Sequence, residues 1–498
     1  MEKLGLKKDL IYILSMIGLA TGLCFFQLNR LSLSLDEVSS YLFVHDWNTL
    51  LKTIWTSEGN MWLYYYLLHF WTWFGNNEIA IRSFSVVCSI LTVPFFYKLI
   101  SNIITGKKLS RFAVLLFISH IYFVYYAQTA RSYALALFLI TAASYYFIKF
   151  TKNTSKNFYL ILYTLFSVLA FYTHLLTLLI TSAQFISILF LPHKIPWKKM
   201  ILSAMAIAIL TLPLTLAPSF HGHMLDWLQK PPLVHLPFGL IGLAGDFLPS
   251  AALSYILILI LLWRKMELLF KKSMERFQIV FLLLWAFFPL LFSFLFSYAI
   301  KPIYQPQYFN SSLPAFIIII ALALQTLKAK KNLYITLIIL ILLSSIFRLA
   351  FWYTGNNKYL LQYVIIENTS PNDWRGIVSY VAKNANPNDG IIYYTYYIRQ
   401  PFEYYLNQLN IAKPESIEIS SGPYALGGGE KTPEPNIALL DSLPKKHLRI
   451  WTILEENNSP VLNRINQWET IRKDLNKYYS IKSDKFFKKT EVRLLEKN

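Results

Sequence analysis

The sequence predicts an α-helical polytopic membrane protein with a small C-terminal α/β domain, and three observations lead to this fold class. Hydrophobic residues make up 55% of the 498 residues and charged residues only 15%, whereas a soluble domain carries about a quarter charged residues. The apolar residues are concentrated in blocks that approach the ~20 residues needed to cross a bilayer. No such block recurs after Trp352. We therefore expect a transmembrane domain over residues 1–352 and a soluble α/β domain over 353–498.

Eleven apolar segments are predicted to be membrane spans, and the first is interpreted as a retained span rather than a cleaved signal peptide. They lie at 10–28, 79–98, 112–127, 132–148, 159–173, 175–191, 200–218, 250–263, 277–299, 312–327 and 333–352. The stretch 219–250 has room for a further embedded helix.

Basic residues between these segments predict the topology. One alternating set of loops carries 21 Lys and Arg residues and the other set only 6, and cytoplasmic loops are the ones enriched in basic residues. The N-terminus is therefore expected in the cytoplasm and the C-terminal domain outside the cytoplasmic membrane. Because topology accounts for the positive charge, the net charge of +20 requires no nucleic acid partner.

Two loops on the predicted outer side are rich in aromatic residues. Loop 29–78 mixes Tyr and Trp with acidic residues, and loop 219–249 combines His, Trp and Pro. This composition is typical of short helices lying at the membrane interface. We expect the two loops to cover a cavity that faces the bilayer, with any chemistry on that side.

The C-terminal segment is predicted to alternate helices and strands, which indicates a small α/β domain. The expected helices are Asp373–Asn384, capped by Asn372 or Asp373, then Pro401–Leu409 and about Val461–Tyr479. The expected strands are Ile391–Tyr397, Ser416–Ser420, Leu448–Leu454 and a terminal run that ends at Leu495. The glycines at 427–429 are interpreted as a flexible loop, because they lack the Lys-Ser ending of a phosphate-binding loop.

The acidic pair Asp36-Glu37 is the first candidate for chemistry, and it has two interpretations. Two acids at a membrane boundary are costly unless they are solvated or used, and a carboxylate here could accept a proton from an attacking hydroxyl. Alternatively, Ser34-Leu-Asp-Glu37 matches the capping box that begins many helices. Spacing alone favours the capping interpretation.

Arg131 is the second candidate, and Gln128 and Arg82 accompany it. Arg131 lies at an outer turn between two apolar segments, where it can either snorkel to headgroups or bind a lipid phosphate with two hydrogen bonds. Gln128 is expected one turn earlier on the same side. Arg82, near the outer end of the second span, has the same two interpretations.

Glu58 and His174 are weaker candidates, and no metal site is predicted. Glu58 lies in the polar stretch Ser57-Glu-Gly-Asn60, and His174 separates two apolar runs. A single histidine at a helix end is more often a hydrogen-bonded interface residue than a ligand. His221 and His223 with Asp226 form only a weak metal motif.

Taken in order, these residues resemble the C-type glycosyltransferases of the protein O-mannosyltransferase and lipid A aminoarabinose transferase type. The resemblance rests on Asp36-Glu37, on Glu58 before an aromatic helix, on Arg82-Ser83 and on Gln128-x-x-Arg131-x-Tyr133. It continues through Tyr172-Thr-His174, Gln307-Tyr308 before Leu313-Pro-Ala315, and Asp373-Trp-Arg-Gly376. It covers about residues 10–400.

This resemblance implies the GT-C fold and an inverting transferase that takes a sugar from a polyprenyl-phosphate donor, with no cofactor. Asp36 would be the catalytic base with Glu37 beside it, and Arg131 would hold the donor phosphate. The implied substrate-binding residues are Gln128, Arg82, Glu58, His174, Gln307 and Tyr308. The acceptor would be a glycan, a lipid or a protein. Asn60-Met61-Trp62 stands where many relatives have a proline pair, and Gln307 where they often have arginine. Aminoarabinose transferases also have an aspartate near Ser132–Leu135 that this chain lacks, so aminoarabinose is not expected as the sugar.

Two other function classes remain open. A polyprenyl-linked substrate transporter would place ionisable residues within its spans and contain broken helices, whereas the predicted spans carry few charges. A lipid-linked glycan ligase or polymerase would share the outer arginines, but the acidic pair after the first span fits it less well.

Overall fold

The computed structural model describes residues 2–221, 228–267, 271–355, 372–394, 396–409, 414–417, 437–455, 464–488 and 490–498. Its membrane unit is a helical bundle with a single large apolar core. The helices are α1 (Glu2–Phe25), α2 (Leu35–Val44), α3 (Trp47–Thr56), α4 (Trp62–Trp71), α5 (Glu78–Ser101), α6 (Lys107–Ser119), α7 (Ile121–Ala127), α8 (Tyr133–Lys152), α9 (Asn157–Thr173), α10 (Thr177–Ser187), α11 (Trp197–Leu216), α12 (Pro218–His221), α13 (His235–Leu243), α14 (Leu248–Arg264), α15 (Met274–Ala299), α16 (Leu313–Thr326) and α17 (Lys331–Thr354).

The polytopic architecture predicted from the apolar segments is confirmed. Within the described residues, seven helices are long and apolar enough to cross a membrane, and two bent pairs raise the number to nine. The bent pairs are α6–α7, with a bend of 50°, and α13–α14, with a bend of 82°. Two shorter apolar helices, Asn157–Thr173 and Thr177–Phe190, complete the set. Each of the eleven predicted segments therefore lies on a helix, and α13 is the additional helix for which 219–250 had room.

Short helices occupy the loop between α1 and α5, as the aromatic pattern indicated. Ser34 and Glu37 form the predicted capping box at the start of α2, with each side chain bonded to the other residue's backbone. Asp46 begins α3, and its Oδ1 atom accepts a hydrogen bond of 2.9 Å from the amide of Thr49. These caps satisfy amides that a helix start leaves without partners. The residue at which α2 begins is thereby set by its own sequence.

The C-terminal α/β unit is built on a mixed five-stranded sheet in the order β2-β1-β3-β5-β4. Its elements are α18 (Trp374–Asn384), β1 (Gly390–Tyr394), α19 (Arg399–Gln408), β2 (Glu415–Ile417), α20 (Ile437–Lys446), β3 (Arg449–Glu455), α21 (Arg464–Leu475), β4 (Tyr479–Phe487) and β5 (Thr490–Lys497). Strand β1 pairs in parallel with β2 and β3, while β5 is antiparallel to β3 and β4. The α/β prediction is confirmed.

Some local predictions for this unit need correction. Pro401 was expected to open its helix, but α19 already begins at Arg399. The helix expected over about Val461–Tyr479 corresponds to α21 but ends earlier, at Leu475, and Tyr479 already begins strand β4; α20 was not predicted. Asp373 caps α18 as expected, with its Oδ1 atom 3.0 Å from the amide of Gly376. The glycines at 427–429 lie outside the described residues.

The membrane unit and the C-terminal unit share one buried apolar cluster. Leu33 and Val38 of the α2 region belong to the same cluster as Trp374 of α18 and Phe402 of α19. Ile81 of α5 belongs to it as well. Because burying such side chains stabilises the contact by about 1.5–3 kcal/mol each, the C-terminal unit is firmly seated on the end of the bundle that carries α2.

The membrane unit also contains one buried ion pair that the sequence did not lead us to expect. Arg348 of α17 lies 3.0 Å from Asp246, and the two side chains are 2% and 0% exposed. Asp246 lies in the break between α13 and α14. Arg348 lies four residues before the end of the predicted span 333–352, and Asp246 lies outside the predicted spans. The two residues are 102 positions apart in sequence, so no local pattern indicated the pair.

Candidate active site

The carboxylate of Glu37 forms the centre of a buried polar network at the start of α2. Arg82 of α5 binds it with two hydrogen bonds, Nε to Oε1 at 2.8 Å and Nη2 to Oε2 at 2.9 Å. The amides of Ala130 and Ser34 each donate a further hydrogen bond at 2.9 Å. Burial alone would raise the pKa of Glu37, but Arg82 and the two amides lower it below the ordinary value. Glu37 is therefore a fixed, ionised side chain that joins α2, α5 and the turn before α8.

All five N–H groups of Arg82 are used within the chain. Beyond Glu37, its Nη1 atom donates to the carbonyls of Leu28 and Leu31 at 2.9 and 2.8 Å. Its Nη2 atom also donates to the carbonyl of Ser32 at 3.1 Å. This use of Arg82 differs from the donor-binding role expected from its position, because the side chain turns toward the loop after α1 and its donors are already occupied.

Asp36 and Arg131 form a second, more exposed polar pair at the start of α2. Arg131 Nη2 is 3.9 Å from Asp36 Oδ2, and Arg131 Nη1 donates to Ser40 Oγ at 3.1 Å. The Arg131 side chain is 15% exposed, and its Nε atom makes no hydrogen bond within the described residues. The Asp36 side chain is 68% exposed. The described residues thus leave the carboxylate open to an incoming group, rather than covering it as the two aromatic loops had led us to expect.

Glu58 lies near this pair, in the turn between α3 and α4. Its turn is held in place because Gly59 approaches the backbone of Ser219 so closely that an added Cβ atom would lie 2.8 Å from the Ser219 carbonyl oxygen. Asn60 Oδ1 also accepts a hydrogen bond of 3.0 Å from the amide of Leu175. Burial raises the pKa of Glu58 to about 7, with Arg131 lowering it and Asp36 raising it further. Glu58 is therefore poised to change charge near neutral pH.

His174 and Tyr308 form an aromatic wall beside Arg131. Their ring centres are 4.8 Å apart in an edge-on arrangement, and Tyr133 packs against both rings. Burial, with a contribution from Arg131, lowers the pKa of His174 to about 3, so the imidazole is neutral at physiological pH. Its Nδ1 atom accepts from the amide of Leu176 at 3.3 Å, which leaves Nε2 as the donor. Gln307 precedes Tyr308 in the same 3₁₀ helix, Pro306–Ser312, and is half-buried.

Gln128 does not join this group, contrary to the expectation from its spacing. Its Nε2 atom donates to the carbonyls of Cys24 and Phe26 at 3.0 and 2.9 Å. Its Oε1 atom accepts from the indole of Trp352 at 2.9 Å. Gln128 is the C-cap of α7, where the helix ends, so the helical periodicity that would have placed it beside Arg131 no longer applies. It ties the end of α1 to α17 instead.

With this geometry established, the fold can be compared with known structures. ArnT from Cupriavidus metallidurans in the apo state matches over 98% of this chain and 98% of its own, with a TM-score of 0.64 and 12% identity. The same protein bound to undecaprenyl phosphate gives a TM-score of 0.60 at 10% identity, over 97% and 98% of the two chains. The chain has the GT-C fold. No family model and no curated protein matches the sequence.

A second GT-C structure matches over a shorter part of its length. The oligosaccharyltransferase AglB from Archaeoglobus fulgidus, in complex with an inhibitory peptide and a dolichol-phosphate, is covered over 69% of its chain and matches 89% of this one. The TM-score is 0.52 at 12% identity. At such identities the comparisons establish the fold, and they agree with the family resemblance found in the sequence.

Several residues at this end of the GT-C bundle were not predicted as site residues, although Arg375 belongs to the Asp373-Trp-Arg-Gly376 motif. Ser40 links Arg131 to α2, Tyr65 is fully buried beside the acidic groups, and Arg375 and Tyr405 reach the site region from the C-terminal unit. The spacing of Ser40 four residues after Asp36 was a usable helical signal. The contacts of Arg375 and Tyr405 span more than 300 residues of sequence, and no local pattern reports such contacts.

The described residues contain no group of three or more His, Cys, Asp or Glu side chains arranged to hold a metal ion. His223 and Asp226 lie outside them, as does the side chain of His221.

Proposed function

We propose that this protein transfers a sugar from a polyprenyl-phosphate donor to an acceptor hydroxyl, with inversion at the sugar carbon. The single observation that carries this proposal is the placement of the accessible Asp36 carboxylate 3.9 Å from the Arg131 guanidinium, whose side chain is only 15% exposed. The carboxylate of Asp36 can accept a proton, and the guanidinium of Arg131 can bind an anion. Their position on a GT-C fold, whose structural neighbour ArnT binds undecaprenyl phosphate, supports a lipid phosphate as that anion.

The reaction follows from these two groups. Asp36 accepts the proton of the acceptor hydroxyl as its oxygen attacks the anomeric carbon of the sugar. The bond between that carbon and the phosphate oxygen breaks on the opposite face, and its electron pair leaves with the polyprenyl phosphate. Arg131 stabilises the charge that develops on this leaving group. One displacement of this kind inverts the configuration.

The groups around the pair have supporting roles in this proposal. Glu37, fixed by Arg82 at 2.8 Å, sets the direction of α2 and thereby the position of Asp36. His174 offers its Nε2–H group as a neutral donor, since its pKa is lowered to about 3. Tyr308 contacts His174 and provides an aromatic face for a sugar ring. Gln307 lies next to it and offers its side-chain amide to a sugar hydroxyl.

The test is a transfer assay with purified protein in lipid nanodiscs and a set of polyprenyl-phosphoryl sugars. We expect transfer of one sugar to an added envelope lipid or glycan fraction, with release of polyprenyl phosphate in equal amount. Asp36→Asn should abolish most transfer. Asp46→Asn is the matched control, because Asp46 also begins a helix at this end and asparagine caps equally well.

The results of this assay distinguish the proposed mechanism from its alternatives. Loss of transfer in Asp36→Asn with retention in Asp46→Asn supports the proposal. Equal activity in wild type and Asp36→Asn would remove Asp36 as the base. Consumption of donor without an inverted product would exclude the single displacement.

A transporter is the second candidate, because a buried Arg348–Asp246 pair lies at the break of a bent helix pair. The adjoining cavity measures only about 30 Å³, which is the volume of one or two waters and far less than a lipid-linked sugar. The two charges also compensate each other. Movement of a fluorescent polyprenyl-phosphate lipid across protein-containing liposomes, sensitive to Asp246→Asn, would favour transport instead.

A further inference from the structure

The loop between α1 and α2 is held by two arginines that come from different parts of the chain. Arg82 of α5 binds the carbonyls of residues 28, 31 and 32. Arg375 of α18 binds the two carbonyls between them, at residues 29 and 30, with Nη2–O distances of 2.7 and 3.1 Å. Five consecutive carbonyls are therefore each bonded to a guanidinium. These guanidinium groups satisfy loop carbonyls that have no strand partner and would otherwise depend on water.

The next backbone group in the loop is also bonded to the C-terminal unit. The amide of Leu33 donates to the hydroxyl of Tyr405 at 2.6 Å, and this hydroxyl donates in turn to Glu78 at the start of α5. Arg375 Nε lies 3.3 Å from the same Glu78 carboxylate. Tyr405 is 5% exposed. Glu78 thus anchors both C-terminal side chains to the membrane unit.

Helix α2 itself is also in contact with α19. Ser39 Oγ donates to Gln400 Oε1 at 2.9 Å, and the rings of Tyr41 and Tyr404 meet edge-on at 5.6 Å. These contacts lie three and five residues after Asp36 on the same helix. Whatever moves the C-terminal unit therefore moves the helix that carries the carboxylate.

We propose that Arg375 and Tyr405 are positioning residues, which hold residues 29–33 so that Asp36 stays opposite Arg131. This inference rests on the proposed function for its catalytic consequence, but the ordering of the loop stands without it. The capping box fixes α2 relative to Ser34, and the bonds of Glu37 to Arg82 and to the amide of Ala130 hold the buried side of the helix. The position of Ser34 also depends on the loop before it. The C-terminal unit binds that loop through Arg375, at the carbonyls of residues 29 and 30, and through Tyr405, at the amide of Leu33.

The exposure of Arg375 and Tyr405 predicts different effects when each side chain is removed. Arg375 is 41% exposed, so water can replace it at the two carbonyls and the loop gains several conformations rather than unfolding. Tyr405 is buried, and its loss leaves the amide of Leu33 and the Glu78 carboxylate without their shared partner. Small displacements of a reacting group cost about 10²-fold in rate, which sets the size of the effect on turnover.

The experiment combines hydrogen exchange with transfer kinetics on the full-length protein in nanodiscs. Arg375→Ala and Tyr405→Phe should speed amide exchange in the peptide that contains residues 28–34 by about tenfold. Turnover should fall by about 10²-fold while the affinity for undecaprenyl phosphate stays unchanged, because Arg131 is untouched. Arg375→Lys should restore part of the turnover, since lysine keeps the charge but not the fork.

Arg449→Ala is the matched control. Arg449 binds the carbonyl of Asn384 at 2.8 Å and lies 3.4 Å from Asp389, both within the C-terminal unit. Equal exchange of 28–34 in wild type and Arg375→Ala would overturn the proposal, as would the same acceleration in Arg449→Ala. If the wild type shows no transfer at all, the proposed function fails, while the exchange measurement still decides whether Arg375 and Tyr405 hold the loop.

Discussion

Asp36 and Glu37 are consecutive in sequence, but their carboxylates have different partners and different exposure. The Glu37 side chain is 4% exposed and bound to Arg82, whereas the Asp36 side chain is 68% exposed and lies 3.9 Å from Arg131. The capping and catalytic interpretations of this acidic pair are therefore not alternatives. Glu37 has the capping role, and Asp36 remains available for chemistry.

This division gives two different mutant phenotypes. Asp36→Asn should lower turnover by about 10²–10⁴-fold, because a general base is lost, and should leave thermal stability unchanged. Glu37→Gln keeps the shape of the capping box but leaves Arg82 buried without its counter-charge, which costs about 3–5 kcal/mol of stability. Turnover and thermal unfolding of both variants, measured in the same nanodiscs, check this. A stable Glu37→Gln protein would contradict the assignment.

Arg131 should be needed for donor binding as well as for catalysis. Arg131→Ala should weaken undecaprenyl-phosphate binding and lower turnover by about 10²–10³-fold, as expected for the loss of one group that stabilises an oxyanion. Arg131→Lys should recover only part of both, because lysine cannot form two parallel hydrogen bonds. Isothermal titration with undecaprenyl phosphate beside the kinetic assay provides the measurement. Unchanged affinity in Arg131→Ala would move the phosphate site elsewhere.

The sequence was informative where the signal was local. The capping box at Ser34–Glu37 and the cap at Asp373 could both be predicted from residues three apart in sequence, and both are present. Each predicted apolar segment lies on a helix because about 20 apolar residues in a row have few other solutions. What these patterns could not supply was the partner of each side chain.

Arg82 and Gln128 illustrate that limit. Both lie where a donor-binding residue was expected, near the end of the bundle that carries α2. Arg82 instead binds carbonyls and a carboxylate 45 to 54 residues away in sequence, and Gln128 binds groups 102 to 224 residues away. Periodicity places a residue on a face of its own helix, but the helix that packs against that face is decided by the whole fold.

Donor binding should depend on pH through Glu58. The pKa of this residue is raised to about 7, so it is neutral below that pH and negative above it. The ionised carboxylate competes with the donor for Arg131, and we expect affinity for a polyprenyl-phosphoryl sugar to fall about tenfold between pH about 6 and about 8. A sugar phosphodiester is the appropriate ligand, because it does not titrate in this range. Asp36, Tyr65 and His174 also face this region.

Glu58→Gln is the control, and it should remove this pH dependence. It should also change stability in a defined direction. A carboxyl whose pKa rises from 4.5 to about 7 on folding gives stability that is fully present below pH about 4.5 and is lost as the pH rises through about 7. Glu58→Gln should therefore flatten that part of the curve of unfolding temperature against pH. The same slope in variant and wild type would show that another group titrates.

The Asp246–Arg348 pair should be structural, and a double-mutant cycle can show it. Asp246 has a φ angle of 52°, a conformation that asparagine adopts readily, so Asp246→Asn removes the charge without straining the backbone. Arg348 would then be a buried charge without compensation, at a cost of about 3–5 kcal/mol. Arg348→Met should be destabilising for the converse reason, because Asp246 would then be the buried charge without compensation.

The double variant should be more stable than the sum of the two changes predicts, because both charges have gone. Unfolding temperatures of the four proteins give the coupling. Additive effects would mean that each residue has a separate partner, and a double variant that folds normally but loses sugar transfer would assign the pair a part in the reaction.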